Sequence, residues 1–224
     1  MVEMQMGEWL HHYLPAVPPE FGNAGTCWIA RMKTRRAEHN PPFYWLGRAL
    51  DVVAEAGAHD AMGARLEAAH GDALCSPGDG RDDRVQGVLS EACGFAWTHT
   101  YIGTPRIEAT TPDGSVEGGP IWLHVPDHET YVFATRLRTG PRGGDVFADV
   151  ATLAAQADDV LPDAPGRVLY LDMLYSREYP QGAGYDLGLT EPVEAALHHY
   201  GGEAHLGHVF TRPFQWGNPV AAHY

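Results

Sequence analysis

From residue 41 onward, apolar residues fall first at helical spacing and later at alternate positions. Phe43, Leu46, Leu50, Val53 and Ala54 recur every three or four residues up to Ala56. That stripe predicts an amphipathic helix, with Asn40 as its N-cap and Pro41-Pro42 where a first turn tolerates proline. A second helical run covers 61–70, after Gly57. Ser76-Pro77-Gly78-Asp79-Gly80 is the clearest break in the chain, and Arg81-Asp82-Asp83 reads as the start of a third helix. Val85, Val88, Leu89, Ala92, Phe95 and Ala96 mark its buried face, which ends near Trp97. Before residue 41, Leu14-Pro15 and Pro18-Pro19 stop any helix after Glu8 to Tyr13. Residues 1–40 are therefore predicted as an irregular wrapping segment.

Beyond Trp97 the period shortens to two. Residues 98–102 and 106–110 predict strands, followed by a turn at Pro112-Asp113-Gly114. Residues 121–125 and 130–135, joined by Pro126-Asp127-His128-Glu129, predict a hairpin. Val146, Val150, Leu153, Ala154 and Ala157 restore helical spacing. The run 167–175 is apolar at nearly every position, as expected of a central strand covered on both faces. Thr190, Pro192 and the stripe Val193, Ala196, Leu197 predict a last helix, ended by Gly201-Gly202, before a strand at 205–211. Strand, helix, strand over 167–211 reads as one crossover with its two strands parallel. The fold class is thus mixed α/β (α+β) in one domain over 1–224: irregular to 40, mainly helical over 41–97, and sheet-containing over 98–224. It has an antiparallel hairpin and a C-terminal β-α-β unit.

The order helix, antiparallel strands, helix, strand, helix, strand over 82–211 resembles the core of restriction-endonuclease-like nucleases. The resemblance implies an acidic residue on the second core strand and a D/E-x-K on the next, holding Mg²⁺ and polarising a water. Pro112-Asp113 could stand for the first element. Residues 130–138 contain no D/E-x-K and no lysine. Arg136 or Arg138 could replace the lysine in charge, but an arginine does not give up its proton and is a poor base.

Composition narrows the chemistry further. Of the 224 residues, 29 are Asp or Glu and 15 Lys or Arg, a formal charge of −14 that disfavours a generic nucleic-acid binder. The cations are arginines except for Lys33. A phosphate-binding loop needs a lysine after glycine, and Lys33 follows Met32, so that loop is absent, and a pyridoxal phosphate Schiff base would have only Lys33 to use. Gly182-Ala183-Gly184 does not continue into a Rossmann dinucleotide fingerprint, and no serine sits in G-x-S-x-G. Cys27, Cys75 and Cys93 lack metal or disulfide spacing. The N-terminus lacks the positive charge and apolar run of a secretory signal, and no window reaches the roughly 20 apolar residues of a membrane span. A cytoplasmic protein is expected.

Four groups of residues carry candidate chemistry. His124, Asp127, His128 and Glu129 converge on one predicted turn and could hold a divalent metal, with Glu91, Glu108 and Asp113 as catalytic carboxylates from separate elements. His198, His199, His205 and His208 are close in sequence, but 205 and 208 fall on opposite faces of a strand, which spoils a simple site. Arg31, Lys33, Arg35 and Arg36 precede Tyr44 and Trp45 and form a basic-aromatic patch. Arg177 and Arg212 leave the two parallel strands at their carboxyl ends, where an open α/β sheet places its ligands, and predict an anion-binding mouth.

The charge and the lack of a complete catalytic set favour an acidic interaction protein of the bacterial inhibitor, immunity or assembly-factor type. Its expected partner is a basic protein or a second copy of itself. The alternative is a metal-dependent hydrolase or phosphodiesterase on a degenerate nuclease-like core. Whether the chain is an enzyme is open on sequence alone.

Overall fold

A computed structural model describes residues 6–17, 29–30, 33, 41–71, 81–109, 121–136, 146–172 and 208–212. Among the described residues, the helices with both ends described before the sheet are α1 (Met6–Tyr13), α2 (Pro41–Glu55), α3 (His59–His70) and α4 (Arg81–Tyr101). Strands β1 (Arg106–Ala109), β2 (Ile121–Val125) and β3 (Thr130–Arg136) follow, then helix α5 (Val146–Val160), β4 (Gly166–Asp172) and β5 (His208–Arg212). The mixed α/β class is as expected. The predicted helix at 190–201, the turn at 112–114 and the remainder of the run 167–175 beyond Asp172 lie outside the described residues.

The five strands form one sheet in the order β1-β2-β3-β4-β5. β1, β2 and β3 pair antiparallel, whereas β3 pairs parallel with β4, and β4 with β5. Between β2 and β3 a single 3₁₀ turn (Pro126–His128) ends on Glu129, which takes a left-handed φ of 47°. Alternation along the strands then divides the core in two. Leu123, Val132, Ala134, Val168 and Tyr170 face the helical layer of α1 to α4, while Phe133, Leu169 and Leu171 pack with Val150, Ala154 and Ala157 of α5. β4 is covered on both faces, as its nearly unbroken apolar run predicts. Burying each large side chain such as Phe95 or Leu89 contributes roughly 1.5–3 kcal/mol.

One expectation is corrected. Residues 98–101 are the last turn of α4 and not a strand. The alternating Thr98-His99-Thr100-Tyr101 text is β-prone, but both threonine hydroxyls donate back along the helix, Thr98 to Gly94 O at 2.8 Å and Thr100 to Ala96 O at 2.7 Å. Thr98 is buried, and Trp97 packs its ring against Tyr170, with centroids 5.7 Å apart. Tertiary contact overrides local propensity here. The chain leaves the helix only at Gly103, whose N–H bonds Thr98 O.

The N-terminal segment begins with a helix that is tied down at two points. Trp9 Nε1 donates to Asp51 Oδ1 at 3.0 Å, and Arg48 of α2 donates to the other oxygen at 3.1 Å. Lys33 Nζ donates to Leu14 O and to Val17 O. Buried polar groups need such partners, and the Trp9–Asp51 bond ties α1 to α2.

Candidate functional site

The most systematic feature is how burial sorts the charges. Among the described side chains, Lys33, Arg65, Arg136 and Arg167 are buried. Lys33 is held by backbone carbonyls, and burial lowers its pKa. Arg65 of α3 forms a two-pronged pair with Glu91 of α4, at 2.7 and 2.6 Å. Arg136 donates to the side-chain oxygen of Gln86. Arg167 bonds Asp158 twice, to its carbonyl at 3.1 Å and its carboxylate at 2.6 Å. Most of the described acids go the other way: Glu8, Glu55, Asp60, Glu67, Asp127, Glu129, Asp158, Asp159 and Asp163 are exposed, whereas Asp51 and Asp172 are buried. Arg84 and Arg106 are the exposed cations among the described side chains. The described surface is therefore more acidic than the composition alone implies.

Of the candidate metal and catalytic residues, Glu91 lies on α4, and His124, Asp127, His128 and Glu129 lie on the β2-β3 hairpin. Glu91 is spent on Arg65; burial raises its carboxyl above the ordinary range, while the Arg65 hydrogen bonds and charge pull the other way. Glu108 stands beside Trp122 in the β1-β2 ladder, and His124 beside Tyr131 in the β2-β3 ladder. The His124 ring lies flat on Tyr131, centroids 4.5 Å apart at 1°. Asp127, His128 and Glu129 are exposed on the turn, and Glu129 reaches the Tyr131 hydroxyl at 3.5 Å. Burial first, and then the nearby charge of Glu129, raise the Tyr131 hydroxyl pKa. Among the described residues no group of three or more His, Cys, Asp or Glu could hold a metal ion. Asp113, and the histidines 198, 199 and 205, lie outside the described residues.

A second cluster forms where the parallel strands end. The register sets Arg136 of β3 beside Asp172 of β4, and Asp172 beside Arg212 of β5. Positions 132, 134 and 136 alternate onto the helical face, as do 168, 170 and 172, so Arg136 and Asp172 look toward α4. There Gln86 is wholly buried and accepts from Arg136, while its amide nitrogen has no partner among the described residues. Asp172 is wholly buried as well. The sequence did hold a signal for it, since Asp172 is the single acid in the apolar run 168–175. Gln86 carried no such mark.

Arg212 thus ends its strand abreast of Asp172, whereas Arg177, Arg31, Arg35 and Arg36 lie outside the described residues. Tyr44 and Trp45 belong to the backbone of α2. Lys33, expected in a surface patch, is buried inside the N-terminal segment. Among the described residues no helix is long and apolar enough to cross a membrane. No family model matches this chain, and comparison with curated proteins and with solved structures finds no match.

Proposed function

We propose that this chain is an acidic interaction protein of the cytoplasm that binds a basic protein partner, in the manner of an inhibitor, immunity or assembly factor. One observation carries the reading: the described cations are mostly turned inward and spent on internal partners, while most of the described acids stand in solvent. Charges arranged in this way steer a positively charged surface into contact and raise its association rate. The order helix, three-stranded antiparallel meander, helix, parallel strand supports a further reading, that the scaffold is a restriction-endonuclease-like core used for binding. On that reading Arg136 of β3 would stand in charge for the nuclease lysine.

Retention of partners on the immobilised chain tests the proposal. Between about 0.1 M salt, where charges are screened over about 10 Å, and about 1 M, where the length is about 3 Å, a basic partner is expected to bind and then elute. Reversing exposed acids, as in Asp159→Lys with Asp163→Lys, is expected to weaken retention. A partner of neutral or acidic character, or retention indifferent to salt, contradicts the reading.

A further inference from the structure

Carboxylates meet aromatic side chains on the antiparallel half of the sheet. Strand pairing sets two rows across it, Arg106, His124 and Tyr131 in one and Glu108 with Trp122 in the next. Alternation puts both rows on the face that carries Phe133, and Trp122 and Tyr131 pack at the margin of the cluster that Phe133 forms with α5. On this face Phe133, Leu169 and Leu171 are buried, whereas Glu108, Trp122, His124 and Tyr131 are half-buried and Arg106 is exposed. Among the described residues the face is therefore closed over β4 and partly open over β1 and β2. Glu129 brings its carboxylate to 3.5 Å from the Tyr131 hydroxyl, and after burial the charges of Glu129 and Glu108 both raise that hydroxyl's pKa. Neither glutamate has an ion-pair partner among the described residues, unlike Glu91 and Asp158. His124 Nε2 has no partner there either, which leaves a polar atom of the first row unmet.

We propose that this face is where the basic partner docks, seating an arginine side chain against Trp122, His124 and Tyr131 with Glu108 and Glu129 as its counter-charges. The proposal rests on the reading of the chain as an acidic interaction protein and gives that reading a place. Charge complementarity selects the occupant: Glu108, Asp127 and Glu129 outnumber Arg106 on these strands and their turn, so the surroundings of the aromatics stay negative. Arginine suits them better than lysine. Its guanidinium is planar and weakly hydrated, so it lies flat on an aromatic ring while its N–H fork meets a carboxylate. A lysine ammonium is a compact, strongly hydrated point charge, which gains less from the rings. Partly buried tryptophan and tyrosine beside unpaired carboxylates are also the side chains around which interfaces concentrate their binding energy on an incoming arginine.

The test is a titration of the ¹⁵N-labelled chain with a blocked tetra-arginine peptide and, alongside, a blocked tetra-lysine peptide at constant ionic strength. Saturable shifts are expected at the Trp122 indole N–H and at backbone positions 108, 124, 129 and 131, with the arginine peptide acting at several-fold lower concentration. Glu108→Gln with Glu129→Gln is expected to weaken its binding about tenfold or more. Because that pair of changes could disturb the turn, Glu108→Gln alone is the second variant, expected to stay folded and weaken binding about threefold. Glu55→Gln with Glu67→Gln removes two exposed charges from the helical layer and is expected to change binding less than twofold. Shifts absent from the face overturn the proposal, as do equal responses to the two peptides. So does equal weakening by the Glu108, Glu129 pair and the Glu55, Glu67 pair. Salt-sensitive retention of a basic partner that persists undiminished in the Glu108→Gln, Glu129→Gln chain overturns this site and leaves the acidic-surface reading standing. Retention indifferent to salt in the wild-type chain, with arginine-selective shifts still on the face, counts against that reading alone.

Discussion

Tyr13 is the clearest single residue whose energetics can be read from its surroundings. Its ring stacks on Trp9, with centroids 5.3 Å apart, and its buried hydroxyl has no partner among the described residues. A buried hydroxyl without a partner costs about 1–3 kcal/mol, so Tyr13→Phe is expected to stabilise the chain at neutral pH by about 1 kcal/mol in urea unfolding. The same group imposes a pH dependence. Burial, and secondarily the charge of Asp60, push its pKa from 10.0 up to about 12. The folded chain then holds the proton more tightly than the unfolded chain. Stability from this group is complete below pH 10 and falls as the pH climbs toward 12, by roughly 2–3 kcal/mol in total. In Tyr13→Phe that part of the alkaline loss should vanish; an unchanged alkaline slope would show that other groups cause it. The pair Arg65 and Glu91 gives a second residue-scale expectation. Glu91→Leu takes its carboxylate partner from a buried guanidinium and is expected to cost about 3–5 kcal/mol, whereas Arg65→Met with Glu91→Leu should return to within about 1–2 kcal/mol of the parent. Equal losses in the single and double variants would mean that packing, and not charge, decides this contact.

At the scale of elements, α4 organises the molecule because it lies close against the sheet. A Cβ added at Gly94 would come within 2.3 Å of the Ala134 Cβ and 3.1 Å of the Tyr170 ring. Gly94→Ala is accordingly expected to destabilise by about 1–3 kcal/mol, and Ala134→Gly in that background to recover part of the loss. Full stability of Gly94→Ala in urea unfolding would mean that helix and sheet sit further apart than described. Which elements were legible in the sequence follows from the same physics. α2 and α5 bury one stripe each, so the spacing of Leu46, Leu50 and Val53, or of Val150, Ala154 and Ala157, announces them. β4 was legible because both of its faces are covered. Residues 98–101 were not, because their hydroxyls satisfy the helix from within and the Trp97 to Tyr170 contact forms only once the sheet is present. Lys33 looked like surface text, and nothing local reveals that the carbonyls of Leu14 and Val17 will take its ammonium. Arg136, Asp172 and Gln86 come from three separate elements, and only the strand register brings the first two abreast.

For the whole molecule the important quantity is the direction in which charge is sorted. A formal charge of −14 was legible from the first reading, but its distribution was not, because burial of an arginine depends on distant acceptors such as Glu91 and Gln86. Once Lys33, Arg65, Arg136 and Arg167 are withdrawn, they no longer offset the exposed acids within the reach of a docking partner. The account of function rests on that separation, and residue-resolved chemical footprinting measures it directly. The native chain would be treated with an amine reagent, an arginine-selective dicarbonyl, or a carbodiimide with a small amine, and read by mass spectrometry. The account predicts that Lys33, Arg65, Arg136 and Arg167 stay unmodified until the chain unfolds, while Glu129, Asp159 and Asp163 react at once. Rapid native modification of those four cations, together with protection of the acids, would contradict it.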